Sequence, residues 1–236
     1  MIKIRPLASS SKANAYIVDN GTDIIQIEAG FSLNQQRPLS RPLDSRAVLL
    51  SHEHSDHSRG IYGFLQHGVD CYMSRGTATA LEVMPDKRVK LIKHKEGFGF
   101  TSWLVIPFNL VHDASEPLGF LLTSITGKYP TENLLFATDT AVIPHLFHDL
   151  THIVVECNYQ QNILLERFKT GELSFSRYKR LMQSHMSLET LVRYLKNTDC
   201  SRLKEMWLIH VSDENINENK MLESLEGIVH CPIFIA

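Results

Sequence analysis

The chain has 236 residues, 43% hydrophobic and 21% charged, enough to bury a full core as one globular domain over 1–236, which excludes a disordered or fibrous protein. Its net charge of −2 excludes coating nucleic acid by charge alone, and no apolar run approaches the roughly 18 residues that a bilayer span needs. Met1-Ile2-Lys3-Ile4-Arg5-Pro6 leads into no apolar block or small-residue cleavage site, and Cys71, Cys157, Cys200 and Cys231 form no CxxC pair, so the expectation is a cytoplasmic protein with reduced thiols and no membrane partner.

Short apolar or β-branched runs bounded by Gly, Pro, Asn or Asp predict strands at 2–4, 15–18, 23–27 and 47–50. Helical spacing follows at 59–66 and 77–83, then strands at 89–92, 102–106, 119–123, 134–137 and 153–155. Helices are predicted around 162–168 and at 188–195, a strand at 206–209, a helix at 214–225 and a last strand at 232–235. Ser187 and Ser212 are candidate N-caps for the later helices. Strands first, then strands mixed with helices, predict sheets packed on each other with helices outside: an α/β, four-layer αββα sandwich in a single domain. Between 161 and 204, nine Lys/Arg face four acids, a local +5 that either meets phosphates or forms a solvated helical surface.

The most informative segment is Ser51-His52-Glu53-His54-Ser55-Asp56-His57-Ser58-Arg59-Gly60, directly after the apolar run Ala47-Val48-Leu49-Leu50. A strand ending in a loop delivers side chains at a sheet rim, where sites are usually built. Residues at i and i+2 of an extended segment point the same way, so His52 and His54 can grip one cation, while Asp56 and His57, after a bend, can reach a second. Imidazole and carboxylate together suit Zn²⁺, Mn²⁺ or Fe²⁺. The plainer reading is a polar loop in a chain with twelve histidines; three histidines and an aspartate within six residues, just after a strand, outweigh it.

His52-x-His54-x-Asp56-His57 resembles the signature of metallo-β-lactamase-fold hydrolases, and later motifs of that superfamily follow in order: His112 after the strand ending near 111, Asp139 after Ala137-Thr138, and His210 after Met206-Trp207-Leu208-Ile209. The resemblance implies two divalent cations, with His52, His54 and His112 on one, Asp56, His57 and His210 on the other, and Asp139 bridging them. Aspartate at the bridging position resembles the phosphodiesterase and glyoxalase branches rather than lactamases with cysteine there. His54, where flavodiiron relatives carry a carboxylate, argues against oxygen reduction.

The closer resemblance is to WalJ (YycJ)-type metallo-hydrolases, which are associated with DNA exonuclease activity. It is carried by Ser9-Ser10-Ser11-Lys12-Ala13-Asn14-Ala15-Tyr16, by His112-Asp113-Ala114-x-Glu116-Pro117-x-Gly119-Phe120, by Glu156-Cys157-Asn158-Tyr159, and by His210-Val211-Ser212-Asp213-Glu214-Asn215. The chain departs from that pattern at Lys12-Ala13, at Glu28 in place of an aspartate, and at Ser184 in place of a glycine. His185 resembles the histidine of the His-Ser-Thr element of ribonuclease Z, a non-ligand that assists the leaving group. At a helix start its charge is disfavoured by the dipole, so it needs a nearby carboxylate or phosphate to stay protonated; the alternative is a structural surface histidine.

The implied activity is metal-assisted hydrolysis of phosphodiester bonds, with nucleic acid as substrate, DNA rather than RNA. A water between the cations ionises near neutral pH, Asp56 orients it, and His185 protonates the leaving alkoxide. Asp139 and His210 are 71 positions apart, too close for a β-CASP insertion. Glu156 and Asn158 are candidates for supporting the ligands, and Ser11 and Asn14 for lining the rim. Phe98, Phe100 and Trp103 either stack on a base or pack a strand edge. His67, His94, His145, His148, His152 and His230 lack ligand spacing and read as surface or structural. The competing functions are a small-molecule phosphodiesterase or glyoxalase II-like thioester hydrolase, an iron-dependent persulfide dioxygenase, and a non-catalytic nucleic-acid-binding module.

Overall fold

The computed structural model describes residues 1–84, 86–127 and 131–236. They form two compact units, one of Met1–Asn109 with Ala114–Glu132 and one of Leu110–Asp113 with Asn133–Ala236.

The first unit opens with the antiparallel strands β1 (Lys3–Ser10), β2 (Ala13–Asp19) and β3 (Ile24–Ile27), in a register that sets Arg5 beside Ile17 and Val18 beside Ile25. The short helix α1 (Leu33–Gln36) and a 3₁₀ turn at Pro42–Asp44 lead to β4 (Ala47–Leu49). Then come α2 (Ser55–Ser58), α3 (Ile61–Gln66), β5 (Asp70–Met73), α4 (Arg75–Ala80) and β6 (Val89–Leu91). The sheet runs in sequence order from β1 to β6, and its β3 to β6 pairings are parallel. Parallel neighbours need crossover connections, which α2 with α3 and then α4 occupy. Val48, Leu50, Ile61, Phe64, Cys71 and Met73 bury completely in one core cluster of this unit. Each large apolar side chain there stabilises the fold by about 1.5–3 kcal/mol.

A meander of β7 (Phe98–Phe100), β8 (Trp103–Asn109) and β9 (Leu118–Ser124) completes the first unit. Phe98 and Phe100 stack on Tyr72, with ring centroids 4.7 and 5.3 Å away, and Trp103 is wholly buried, so these aromatics are packing residues. Asp23 ties the meander down. Its carboxylate accepts from Ser102 Oγ at 2.6 Å, Ser102 N at 3.2 Å and Arg46 Nε at 3.2 Å, and its carbonyl accepts from Trp103 Nε1 at 3.3 Å. Burial works against ionising Asp23, but the hydrogen bonds from Ser102, Thr101 and Arg46 outweigh it and hold the carboxyl below the usual range.

Its contribution is therefore complete above the unfolded carboxyl pKa of about 3.9 and is lost as pH falls through the lower folded value. Asp23→Ala is expected to cost about 1–3 kcal/mol of unfolding free energy at neutral pH, with the gap from wild type narrowing toward about pH 3. Denaturant melts at both pH values check this; a gap of equal size at each would refute an ionised contact.

The second unit holds β10 (Glu132–Ala137), β11 (His152–Glu156), β12 (Glu205–Ile209) and β13 (Ile233–Ile235), all parallel and ordered β13-β12-β11-β10. Every residue of β11 is buried, as a parallel strand covered on both faces should be. Between β11 and β12 lie α5 (Gln161–Lys169), α6 (Phe175–Ser184) and α7 (Leu188–Lys196), and α8 (Glu218–Glu226) precedes β13. Ser187 caps α7 as expected, its Oγ accepting from Thr190 N at 3.1 Å.

Several elements differ from the expectation, among them the short helices α1 and α2, the strand β5, the helix α6 and the start of the last helix. The strand β5 is short and carries a weak pattern. The helix α6 was not expected, because it turns only part of one face onto the Tyr159, Leu164 and Leu173 cluster and leaves Phe175, Arg177 and Lys179 exposed. The last helix starts at Glu218 on an Asn217 cap, since Ser212 Oγ instead accepts from Asn215 Nδ2 at 2.9 Å.

Candidate metal centre

In the first unit the chain leaves β4 extended through His54, which caps α2, so that His52 and His54 fall on one side. The Nε2 of His52 lies 3.1 Å from the Nδ1 of His54, while His52 Nδ1 sits 2.8 Å from Ser51 Oγ. The first turn of α2 then presents Asp56 and His57. His57 is fully buried, with its Nδ1 directed at Glu28 Oε2 at 3.3 Å and its Nε2 3.3 Å from Asp56 Oδ2. Asn14 Nδ2 donates to Ser10 O at 2.9 Å and to Asp56 Oδ2 at 3.3 Å, and lies 3.1 Å from His57 Nε2.

This crowding explains a glycine. A Cβ on Gly30 would lie 1.9 Å from the Asp56 carbonyl oxygen and 2.5 Å from Asn14 N, so only glycine lets the two segments close on each other. The His52 and His57 rings end 4.3 Å apart.

Glu53, which stands between two candidate ligands, is a further functional side chain that no spacing in the sequence singles out. Its Oε1 accepts from both Ser115 N and Ser115 Oγ at 2.7 Å, while Leu118 N donates to Ser51 O at 3.0 Å. The segment 51–53 is thus fastened to 115–118. A charged residue between two histidines was the only available signal.

In the second unit His112, Asp139, His185 and His210 meet. His112 Nδ1 donates to the Ser184 carbonyl at 2.8 Å, which fixes its tautomer and puts the lone pair on Nε2. Asp139 follows β10 and His210 follows β12, each in the left-handed region with φ of 46° and 51°; Glu28 in the first unit shares it at 64°. Such backbone costs roughly 1–3 kcal/mol per non-glycine residue and concentrates where a side chain must be re-aimed. Here it turns the chain at a strand end. Thr138 Oγ1 steadies the Asp139 carboxylate at 2.8 Å.

The two oxygens of Asp139 face different histidines: Oδ2 is 3.7 Å from His112 Nε2, and Oδ1 is 3.8 Å from His210 Nε2. These separations exceed a hydrogen bond and match groups that share a cation. The histidines also carry the support that metal ligands require, since Nδ1 of His57 and of His210 each points at a buried carboxylate, Glu28 and Glu156, and that of His112 at a carbonyl. By donor chemistry and orientation, both clusters fit divalent cations.

Glu156, at the end of β11, is the hub of the second cluster and is completely buried. Its Oε1 contacts His185 Nδ1 at 2.5 Å and His210 Nδ1 at 3.2 Å, and its Oε2 accepts from Thr140 N at 2.8 Å and Met186 N at 3.2 Å. Burial opposes a charge on Glu156, but the His185 cation and the hydrogen bonds of His185 and His210 hold its pKa below the usual range. Burial likewise opposes a charge on His185, yet Glu156, through its charge and hydrogen bond, lifts its pKa to about 9. Donor atoms of Asp139, Glu156, His185 and His210 all lie within 4.8 Å of one another.

His185 corrects one expectation, since it caps the C-terminus of α6 rather than opening α7, a position where the dipole favours its charge. Asn158 Nδ2 donates to His210 O at 2.8 Å, so Glu156 and Asn158 both support the cluster, as does Asn14 in the first unit. Ser11 is exposed in a turn. His67, His94, His145, His148, His152 and His230 belong to no ligand group among the described residues.

The family described as "Beta-lactamase superfamily domain" matches residues 16–211. The chain is 25% identical over 228 residues to the exodeoxyribonuclease WalJ of Streptococcus pneumoniae, which covers 89% of this chain and 81% of that relative. It is 24% identical over 226 residues to the exodeoxyribonuclease YycJ of Bacillus anthracis, covering 90% and 83%. Among solved structures, the metallo-β-lactamase fold protein YhfI of Bacillus subtilis superposes with a TM-score of 0.71 at 14% identity, over 100% of this chain and 96% of that one. Its mixed α/β architecture of two sheets with helices is that fold. This chain belongs to the beta-lactamase superfamily, as a hydrolase of the metallo-β-lactamase fold.

Proposed function

We propose that residues 1–236 work as one hydrolase domain that holds two divalent cations, Zn²⁺ or Mn²⁺ with Fe²⁺ admissible, and cleaves phosphodiester bonds of DNA from an end. The observation that carries this reading is the Asp139 carboxylate with each oxygen aimed at a different histidine. The relatives' names as exodeoxyribonucleases supply the substrate. His52, His54 and His112 would hold one cation, Asp56, His57 and His210 the other, and Asp139 both. When bound, such cations supply Lewis-acid stabilisation of phosphoryl charge and make water acidic enough to ionise near neutral pH.

The protein's own groups do the rest. Asp56, braced by Asn14, accepts a hydrogen from the attacking water and sets its direction. His185, whose Nδ1 is held by the Glu156 carboxylate, gives the Nε2 proton to the departing alkoxide. Arg167 is bound to Glu172, Glu214 and Asn215, and Arg180 to Asp113, which leaves Arg177 and Lys179 of α6 for flanking phosphates. The four cysteines are free thiols, which suits the reducing cytoplasm. No helix among the described residues is long and apolar enough to cross a membrane.

The test is purified protein loaded with Zn²⁺ or Mn²⁺ and given end-labelled single- and double-stranded DNA, RNA and a thioester. Progressive shortening of DNA is the expected result. Hydrolysis of the thioester alone, or of RNA alone, would overturn the reading.

A further inference from the structure

In the first unit, the segment after α1 folds over the face of β1, β2 and β3 that carries Arg5 and Ile17, which are cross-strand neighbours. A cavity of 420 Å³ opens there, with Ile17 and Ile24 in its lining and Arg5, Arg37 and Arg41 as its cations. That volume falls within the roughly 300–1,000 Å³ of sites for small ligands. None of its lining residues belongs to either histidine cluster.

Two observations mark it as a binding site. The first is charge: three arginines line it against the single acid Asp44, in a chain whose net charge is −2. The side chains of Arg5, Arg37 and Arg41 make no ion pair or hydrogen bond among the described residues, so their charges are available to a ligand. The second is Ser40, which also lines the cavity and whose buried Oγ has no hydrogen-bond partner among the described residues. Forked guanidinium donors match phosphate oxygens. The apolar surface of Ile17, Ile24 and Leu39 matches the flat body of a base or sugar.

We propose that this cavity binds a nucleotide phosphate, either carried on a nucleic-acid strand or as a free nucleotide, at a site separate from the histidine clusters. The inference goes beyond the metal reading and does not need it, because binding is read without turnover.

The experiment is fluorescence anisotropy on the full-length protein at several salt concentrations. The probes are a labelled single strand with an uncleavable phosphorothioate backbone and a labelled deoxyadenosine monophosphate. The Arg37→Glu/Arg41→Glu variant is expected to bind the strand at least about tenfold more weakly, with a salt slope smaller by about 1.4, or about 0.7 for each phosphate no longer neutralised. An equal loss for the mononucleotide identifies a site that takes free nucleotides too. A loss confined to the strand identifies a grip on the polymer backbone; both support the site. If Arg37→Glu/Arg41→Glu fails to match the wild-type melting curve, Arg37→Gln/Arg41→Gln takes its place. Affinities and salt slopes equal to wild type, or a wild type that binds neither probe, overturn the proposal.

Discussion

Asp139→Ala is expected to lose both metal uptake and turnover. The carboxylate stands between His112 and His210 and reaches toward each with its own oxygen, a placement produced by the left-handed turn after β10. Alanine removes the carboxylate that reaches both imidazoles, and a cation there would lose part of the charge that offsets its desolvation. Lewis-acid catalysis supplies several kcal/mol of transition-state stabilisation, and at about 1.4 kcal/mol per decade its loss lowers turnover by at least about a thousandfold. Elemental analysis of the purified variant beside DNA cleavage reads both effects. His54→Ala should behave alike, because His54 Nδ1 lies beside His52 Nε2 at the separation of two ligands on one ion. Wild-type metal content in Asp139→Ala would rule out the proposed centre.

His185→Ala is expected to separate the two functions, lowering DNA turnover by about 10²- to 10⁴-fold while metal content stays at the wild-type level. The reason is geometric. His185 Nδ1 is committed to Glu156, and that pair sits among the ligands without needing to be one. A proton donor matters most when the leaving group is a poor one, so the loss should be large for the alkoxide of DNA and much smaller for a p-nitrophenyl diester. Glu156→Gln should show the same substrate split in milder form, together with lower stability, since its carboxylate also accepts from Thr140 N and Met186 N. Equal losses on both substrates would mean that His185 shapes the site rather than donating a proton, and a silent His185→Ala would remove it from the mechanism.

Much of this was readable without coordinates. His52, His112, Asp139 and His210 each come just after an apolar run, and a run that gives way to polar residues marks a sheet rim. Thus His52, Asp139 and His210 were placed at strand ends by the pattern of hydrophobicity alone, and Ser187 was assigned its helix by its own chemistry. Local periodicity and capping depend on residues within a turn or two, which the sequence states directly.

The sequence by itself determined the superfamily, the positions of most strands and the candidate ligands in their order. Only the tertiary structure decided how those groups are held. Glu53 fastens to Ser115, 62 positions away, Glu28 meets His57, and Glu156 joins His185 and His210, which lie 29 and 54 positions on. It also decided that Asp139 and His210 turn through left-handed backbone, that His185 ends a helix rather than starting one, and that Arg5 joins Arg37 and Arg41 around one cavity. Such pairings leave no periodic trace, because a carboxylate finds its partner through the folded path of the backbone and not through its neighbours in the chain.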